Sequence, residues 1–413
     1  MMSGFLGNAV FLLLLIVVIG YFNEKVTKLT YEISLMLFSV IAGLVITVIT
    51  AALKGSTMSG LLSQVQVFDL EGFLMEGVLC FMLFAGSCHM KVGDFKRLMR
   101  PVGVLAFVTT FLGAVFYGLL FYGISALLGL SFSLPMCLMF GSIIAPTDPI
   151  AATSILNRFG LPANVSFVIQ GESLLNDGVG VALFVCFSGM VTMEKGGSFF
   201  QVLFQEILGA VVIGVLISVI LFRLFAGTDD SKRRIFISLL SVSLSYFMCE
   251  RLECSGAIAS VVCGVMYATL TDRECANKDM SEFEEFWEII DTVLNSVLYV
   301  MLGLSFVRIL QMERVLLLSA MAVLCNLAAR FASLYLSTFL MGKLPDGYSP
   351  VNFAKLLTWG GLRGGLSIAL AMSTYSMLPD NTYHIVLGCT YAIVFFTTVV
   401  QGLSMKKVYE RIS

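Results

Sequence analysis

The chain has 413 residues, 58% of them hydrophobic and 13% charged, with a mean hydropathy of +0.94 and a formal net charge of −2. A soluble domain of this length needs far less apolar surface, so the composition excludes a soluble enzyme or nucleic-acid binder and indicates a polytopic membrane protein. The near-zero net charge adds nothing, since in a membrane protein the distribution of charge matters and the sum does not.

No cleavable signal peptide is expected, because Met1 to Asn8 lacks a basic segment and the apolar run that follows is long enough to span. Apolar runs of span length, marked off by charged or Gly/Pro punctuation, number about thirteen. They are read at 4–22, 31–53, 71–90, 102–128, 134–157 and 164–192, then 199–222 as a connector, then 235–250, 255–271, 284–307, 313–341, 352–377 and 382–404. Connections are short and little chain follows the last span, so no soluble regulatory tail is expected. The ten cysteines are scattered through apolar segments without a CxxC or Cys/His cluster and read as small hydrophobes. His89 and His384 stand alone and read as packing or interfacial residues.

Odd-numbered loops and the C-terminus carry most of the loop Lys and Arg, including Lys96, Arg97, Arg100, Lys232, Arg233 and Arg234. Even-numbered loops hold only Lys54, Lys195, Arg251, Arg308 and Arg314. The positive-inside rule then places the C-terminus in the cytoplasm and the N-terminus outside, in the cell (inner) membrane. Spans one to six and eight to thirteen start on opposite sides, which is the topology of two inverted repeats. Spans five and twelve occupy corresponding positions and both are interrupted: Pro146 and Pro149 break the first, and Gly360, Gly361, Gly364 and Gly365 weaken the second. Paired broken helices point to a binding site at the bilayer midplane.

Five ionisable residues share that depth: Asp148, Glu172, Asp177, Arg330 and Arg363. A charge at mid-bilayer costs roughly 2.5–3.5 kcal/mol on insertion scales, so these groups face one another or water. Ser173 and Asp177 are i, i+4 on one helix face; Glu172 and Asn176 share another, displaced by about 100°. With Asp148 and Thr147, the Ser173/Asp177 face supplies hard oxygen ligands suited to Na⁺, Li⁺ or K⁺. Glu172 reads as the partner of a buried arginine, because a guanidinium cannot deprotonate and must be matched by an anion. Arg363 divides between stabilising the freed carbonyls of the broken twelfth span and tuning the aspartates.

One acid with two alternative guests makes an exchanger. Burial favours the neutral, protonated carboxyl and a bound cation favours the ionised one, so the two compete. Asn176 stands where a second acid would add a titrating site, which favours an electroneutral cycle. No cofactor is expected, only transported Na⁺ or Li⁺ and H⁺. The alternatives are a K⁺/H⁺ or mixed-cation exchanger, a cation channel, and an intramembrane aspartyl protease, which also uses two aspartates on adjacent spans. The Tyr-Asp and Gly-x-Gly-Asp contexts of that protease class are absent. The acidic run Glu282, Glu284, Glu285, Glu288 and Asp291 reads first as a solvated helix end, and second as a field that concentrates cations.

Three segments, APTDPIAATSIL, GESLLNDGVG and TWGGLRGGLSIALA, closely resemble signatures of the monovalent cation:proton antiporters, in the branch of bacterial NhaP-type and animal sodium/proton exchangers. The resemblance covers essentially the whole chain. It implies an all-α fold with crossed, partly unwound helices and a homodimer in the lipid bilayer. Each protomer would hold a dimerisation part (about 1–90 and 235–307), a mobile core (about 101–192 and 313–404) and a linker helix (about 199–222). The family's ion-binding aspartate falls on Asp177, its TDP pair on Thr147 and Asp148, its serine on Ser173, and the Asn-Asp pair of the electroneutral branch on Asn176 and Asp177. The motif glutamate Glu172 would pair with an upstream arginine, where Arg330 fits. The sequence departs from some relatives at an LFEGG-like segment of the third span, where Ala85 replaces an acidic ligand; Glu76 is a candidate substitute.

Overall fold

A computed structural model describes residues 2–52, 72, 78–90, 92–148, 160–192, 199–309 and 315–412. Among them every regular element is helical. In hydrocarbon a lone backbone N–H or C=O finds no water, so a spanning segment closes its hydrogen bonds on itself.

The helices are α1 (Met2–Phe22), α2 (Tyr31–Ala52), α3 (Leu79–Ser87) and α4. The last runs through Val92–Gly103, a π-helical stretch at Val104–Thr109, and Thr110–Leu127. α5 (Leu134–Ile144), α6 (Ala163–Thr192), α7 (Phe199–Gly227), α8 (Ser231–Arg251), α9 (Gly256–Glu274), α10 (Ser281–Ile309) and α11 (Val315–Met341) follow. α12 (Pro350–Gly360) and α13 (Gly365–Ser373) are the halves of one interrupted span, and α14 begins at Asp380–Phe395 and continues to Ile412. Among the described residues, eight helical stretches are long and apolar enough to cross a membrane. The others are short, interrupted or too polar, and depend on neighbours for burial.

Two expected boundaries differ. α4 already runs from Val92, about three turns before the apolar run at 102, and α14 extends past 404 to Ile412. Both extensions are basic (Lys96, Arg97 and Arg100; Lys406, Lys407 and Arg411), and hydropathy marks the hydrocarbon thickness, not the end of the helix. Starts are set by local caps: Ser133 accepts from the Met136 N–H, Ser255 from Ile258 and Ser349 from Asn352, the last with Pro350 in the first turn.

Packing gathers the helices around the two breaks. Phe121, Phe140, Ile143, Leu183 and Leu370 bind α4, α5, α6 and α13 into one buried cluster, which includes Ala329 of α11 and Cys389 of α14. Leu35 and Met36 of α2, Tyr299 and Leu302 of α10 and Ile368 of α13 form a second. Phe84, Phe222, Tyr267 and Trp287 join α3, α7, α9 and α10 in a third. All ten cysteines are buried and outside any disulfide, as small hydrophobes would be.

Candidate ion-binding site

Both expected breaks are present. α5 ends at Ile144 and residues 145–148 are non-helical, because Pro146 has no N–H to donate and its ring opposes a further turn. Pro149 lies outside the described residues. The second break runs from Gly361 to Gly364, between α12 and α13. The segments touch: the Asp148 N–H donates to the Leu362 carbonyl at 2.7 Å. Gly364 permits this approach, since a Cβ there would lie 3.0 Å from an Asp148 carboxylate oxygen.

Arg363 satisfies carbonyls that the fold has stripped of helical partners. Its Nη1 donates to Ala145 O at 2.5 Å and Pro146 O at 2.9 Å, and its Nη2 to Asn326 Oδ1 at 3.0 Å. The carbonyls belong to the break after α5. The expectation that Arg363 would serve its own twelfth span is corrected: its side chain crosses to the other break. Its own backbone is held by α14, with Arg363 N–H donating to Thr397 Oγ1 at 3.1 Å and the Thr398 hydroxyl donating to Arg363 O at 3.3 Å.

α6 supplies the facing wall. A Cβ on Gly180 would sit 2.5 Å from the Pro146 ring, so only glycine lets α6 lie against the unwound chain. Thr147 is gripped three ways: its N–H donates to Asn176 Oδ1 at 3.1 Å, Asn176 Nδ2 donates to its hydroxyl at 2.7 Å, and that hydroxyl meets Ser173 Oγ at 2.9 Å. Helical spacing groups Asn176 with Glu172, but its amide reaches across to Thr147, which Ser173 also holds. Glu172 turns away to Arg330, whose Nη2 donates to its carboxylate at 2.5 Å with both side chains almost fully buried. The buried arginine that partners Glu172 is therefore Arg330.

Asp148, Asp177 and Thr147 line one cavity of about 70 Å³, closed elsewhere by Met82, Gly86, Leu298 and residues 364–367. The volume suits a cation with a few waters. Tyr299, Asn326 and Asn295 escaped the sequence reading, and Asp291 entered it only as a member of the acidic run. The Tyr299 hydroxyl donates to Asp148 Oδ2, and Asn326 holds Arg363. Asp291 and Asn295 line the same cavity. Asn326 was legible in principle as an amide at mid-depth; Tyr299 carried no signal, because a membrane tyrosine is ordinarily packing.

The acidic run on α10 divides. Glu282, Glu284, Glu285 and Glu288 are exposed, as a solvated helix end requires, while Asp291 turns into the cavity. Ala85 is buried 3% exposed in the cluster of Phe84, Tyr267 and Trp287, and the cavity side of α3 is made by Leu79, Met82, Leu83 and Gly86. The alanine therefore faces away from the site whose missing ligand it seemed to mark. Glu76 lies outside the described residues.

Residues 11–411 match the family described as sodium/hydrogen exchanger, transmembrane. The chain is 30% identical over 352 residues to the Na(+)/H(+) antiporter NhaP of Pseudomonas aeruginosa, covering 83% of this chain and 82% of that one. It is 27% identical to the Na(+)/H(+) antiporter NhaG of Bacillus atrophaeus, covering 94% and 71%. Its fold resembles that of the sodium proton antiporter MjNhaP1 of Methanocaldococcus jannaschii, with a TM-score of 0.78 over 99% of both chains at 17% identity. With a family match that runs nearly end to end, the chain belongs to the transmembrane sodium/hydrogen exchangers, which are secondary transporters.

Proposed function

We propose that the protein exchanges Na⁺, or Li⁺, for H⁺ across a cell (inner) membrane by alternating access. The carrying observation is the convergence of Asp148, Asp177 and Thr147 on one small cavity beside two helix breaks that touch. Asp177 is the carboxylate that holds either guest. Asp148 and the oxygens of Thr147 and Ser173 complete a hard-oxygen site for Na⁺, and Asn176 positions Thr147. Glu172 and Arg330 form a structural ion pair, and Arg363 a capping cation.

A 1:1 electroneutral cycle is supported by the work Asn176 does: its Nδ2 donates to Thr147, which an ionised carboxylate at that position could not do. The cavity is walled by α3 and α10 on one side and by the 145–148 segment, α6 and α13 on the other. That arrangement supports a division in which α1–α3 and α8–α10 form the stationary, dimerising part, α4–α6 and α11–α14 the moving core, and α7 the link. The protein works as a homodimer with its N-terminus outside and its C-terminus in the cytoplasm, and needs no cofactor.

The test is Asp177→Asn in proteoliposomes carrying a preset pH gradient. Wild type dissipates the gradient on adding Na⁺ or Li⁺, with K⁺ much weaker; the variant is folded and does not. Normal exchange by Asp177→Asn sinks the assignment, and equal rates with K⁺ sink the Na⁺ specificity.

A further inference from the structure

Asp291, Asn295 and Tyr299 stand at i, i+4 and i+8 on α10, so they rise along one face of the helix. Tyr299 reaches Asp148, and the other two line the cavity that holds Asp148 and Asp177. Asn295 Nδ2 donates at 2.9 Å to both the carboxylate and the carbonyl of Asp291, which fixes the acid in place. At the start of α13, Ser367 borders the same cavity; its hydroxyl is fully buried and has no hydrogen-bond partner among the described residues. A buried hydroxyl is rarely left so, and one beside a cavity that holds Asp148, Asp177 and Asp291 is a ligand position awaiting its guest.

A second cavity, of about 460 Å³, lies at the start of α10. It is bordered by Cys88 and His89 just past α3, by Asp272 and Lys278, and by Glu284, which is two turns before Asp291. α3 thus ends on the outer cavity and walls the inner one with Gly86.

From this juxtaposition we infer a second cation station, made by Asp291, Asn295 and Ser367, that a partly hydrated monovalent cation occupies on its way between the outer cavity and Asp148/Asp177. The inference rests on the exchange proposed above. Asp291 supplies the counter-charge, Asn295 holds it, and Ser367 supplies an oxygen from α13. The station sets how readily the inner site fills; the exchange itself stays with Asp177.

Asp291 and Tyr299 are separated by eight residues, about 12 Å along the helix. Removing a unit charge at that distance, at an effective dielectric of ~20, changes cation occupancy roughly tenfold. Asp291→Asn in proteoliposomes is therefore expected to raise the apparent KM for Na⁺ about tenfold, with the deficit overcome by saturating Na⁺, and Asp291→Glu to recover most of it. Ser367→Ala, which keeps the size and removes the oxygen, is expected to raise KM roughly threefold. An unchanged KM in Asp291→Asn overturns the station. So does a loss that saturating Na⁺ cannot restore in a variant with a normal thermal melt, because that outcome moves Asp291 into the exchange step. Should Asp291→Asn misfold, an unchanged KM in Ser367→Ala overturns it. Asp177→Asn is run alongside: persistent exchange there defeats the proposed function, whereas an unaltered KM in the station variants defeats only this inference.

Discussion

The backbone N–H of Asp148 donates to the Leu362 carbonyl at 2.7 Å, so the two interrupted spans share a hydrogen bond where each has lost its own. Around that bond the fold settles the accounts of its broken helices. Arg363 takes the carbonyls of Ala145 and Pro146, Thr397 and Thr398 hold Arg363 itself, and Asn176 and Ser173 hold Thr147. With those carbonyls taken, the carboxylates of Asp148 and Asp177 beside the unwound chain are the surface a cation can use.

Arg363→Lys keeps the charge and loses the fork. A lysine ammonium cannot span Ala145 O, Pro146 O and Asn326 Oδ1 in the arginine geometry. With hydrogen bonds to charged groups worth about 1.5–3 kcal/mol each, the expected destabilisation is about 3 kcal/mol. Thermal melting in detergent should show a clear drop, together with lost exchange; an unchanged melt would mean the carbonyls are satisfied by other groups.

Glu172→Gln and Arg330→Ala act on the buried ion pair. Breaking one side of such a pair typically costs about 3–5 kcal/mol, because the remaining charge is stranded. Both variants should melt early, and whatever folded fraction survives should keep a near-normal KM for Na⁺. Comparing melts with transport decides between roles: a stable but inactive variant assigns the pair to transport chemistry instead.

Gly180→Ala inserts a methyl group 2.5 Å from the Pro146 Cγ. Overpacking of this kind costs about 1–3 kcal/mol and must be relieved by pushing α6 away from the unwound chain. Since Ser173, Asn176 and Asp177 ride on α6, exchange should fall by more than the modest loss of stability accounts for. Gly123→Ala, at a glycine on α4 with open space around it, is the control and should be close to wild type.

Tyr299→Phe removes the hydroxyl that donates to Asp148 while leaving the ring in its packing with Leu298 and Leu302. The Asp148 carboxylate loses a charge-assisted donor, worth about 1.5–3 kcal/mol, that holds its orientation. Exchange should persist with a weaker apparent affinity for Na⁺, read from initial rates across a cation series. Affinity equal to wild type would make the contact dispensable.

The positions of the candidate site could be found before any coordinates, because charge in hydrocarbon is expensive enough to be conspicuous. Asp148, Glu172, Asp177, Arg330 and Arg363 each stand out in an apolar run, and the proline and glycine breaks mark where helical hydrogen bonding must fail. Uncharged partners gave no such contrast. Tyr299 and Asn326 lie in spans of ordinary composition, and Asp291 was hidden among four glutamates at a helix end. Ala85 shows the reverse error, since its place in a motif said nothing about which way that short helix is rotated.

From the sequence alone come the membrane class, the apolar helices, the two breaks, and the buried acids of the candidate site, for all of these follow from the cost of placing polar groups in lipid. Which carbonyls Arg363 satisfies, which arginine Glu172 keeps, and which acid of α10 turns inward were decided only when the helices packed. Each depends on the rotation of one helix against another, and a few degrees of rotation change the partner of a side chain without changing any residue.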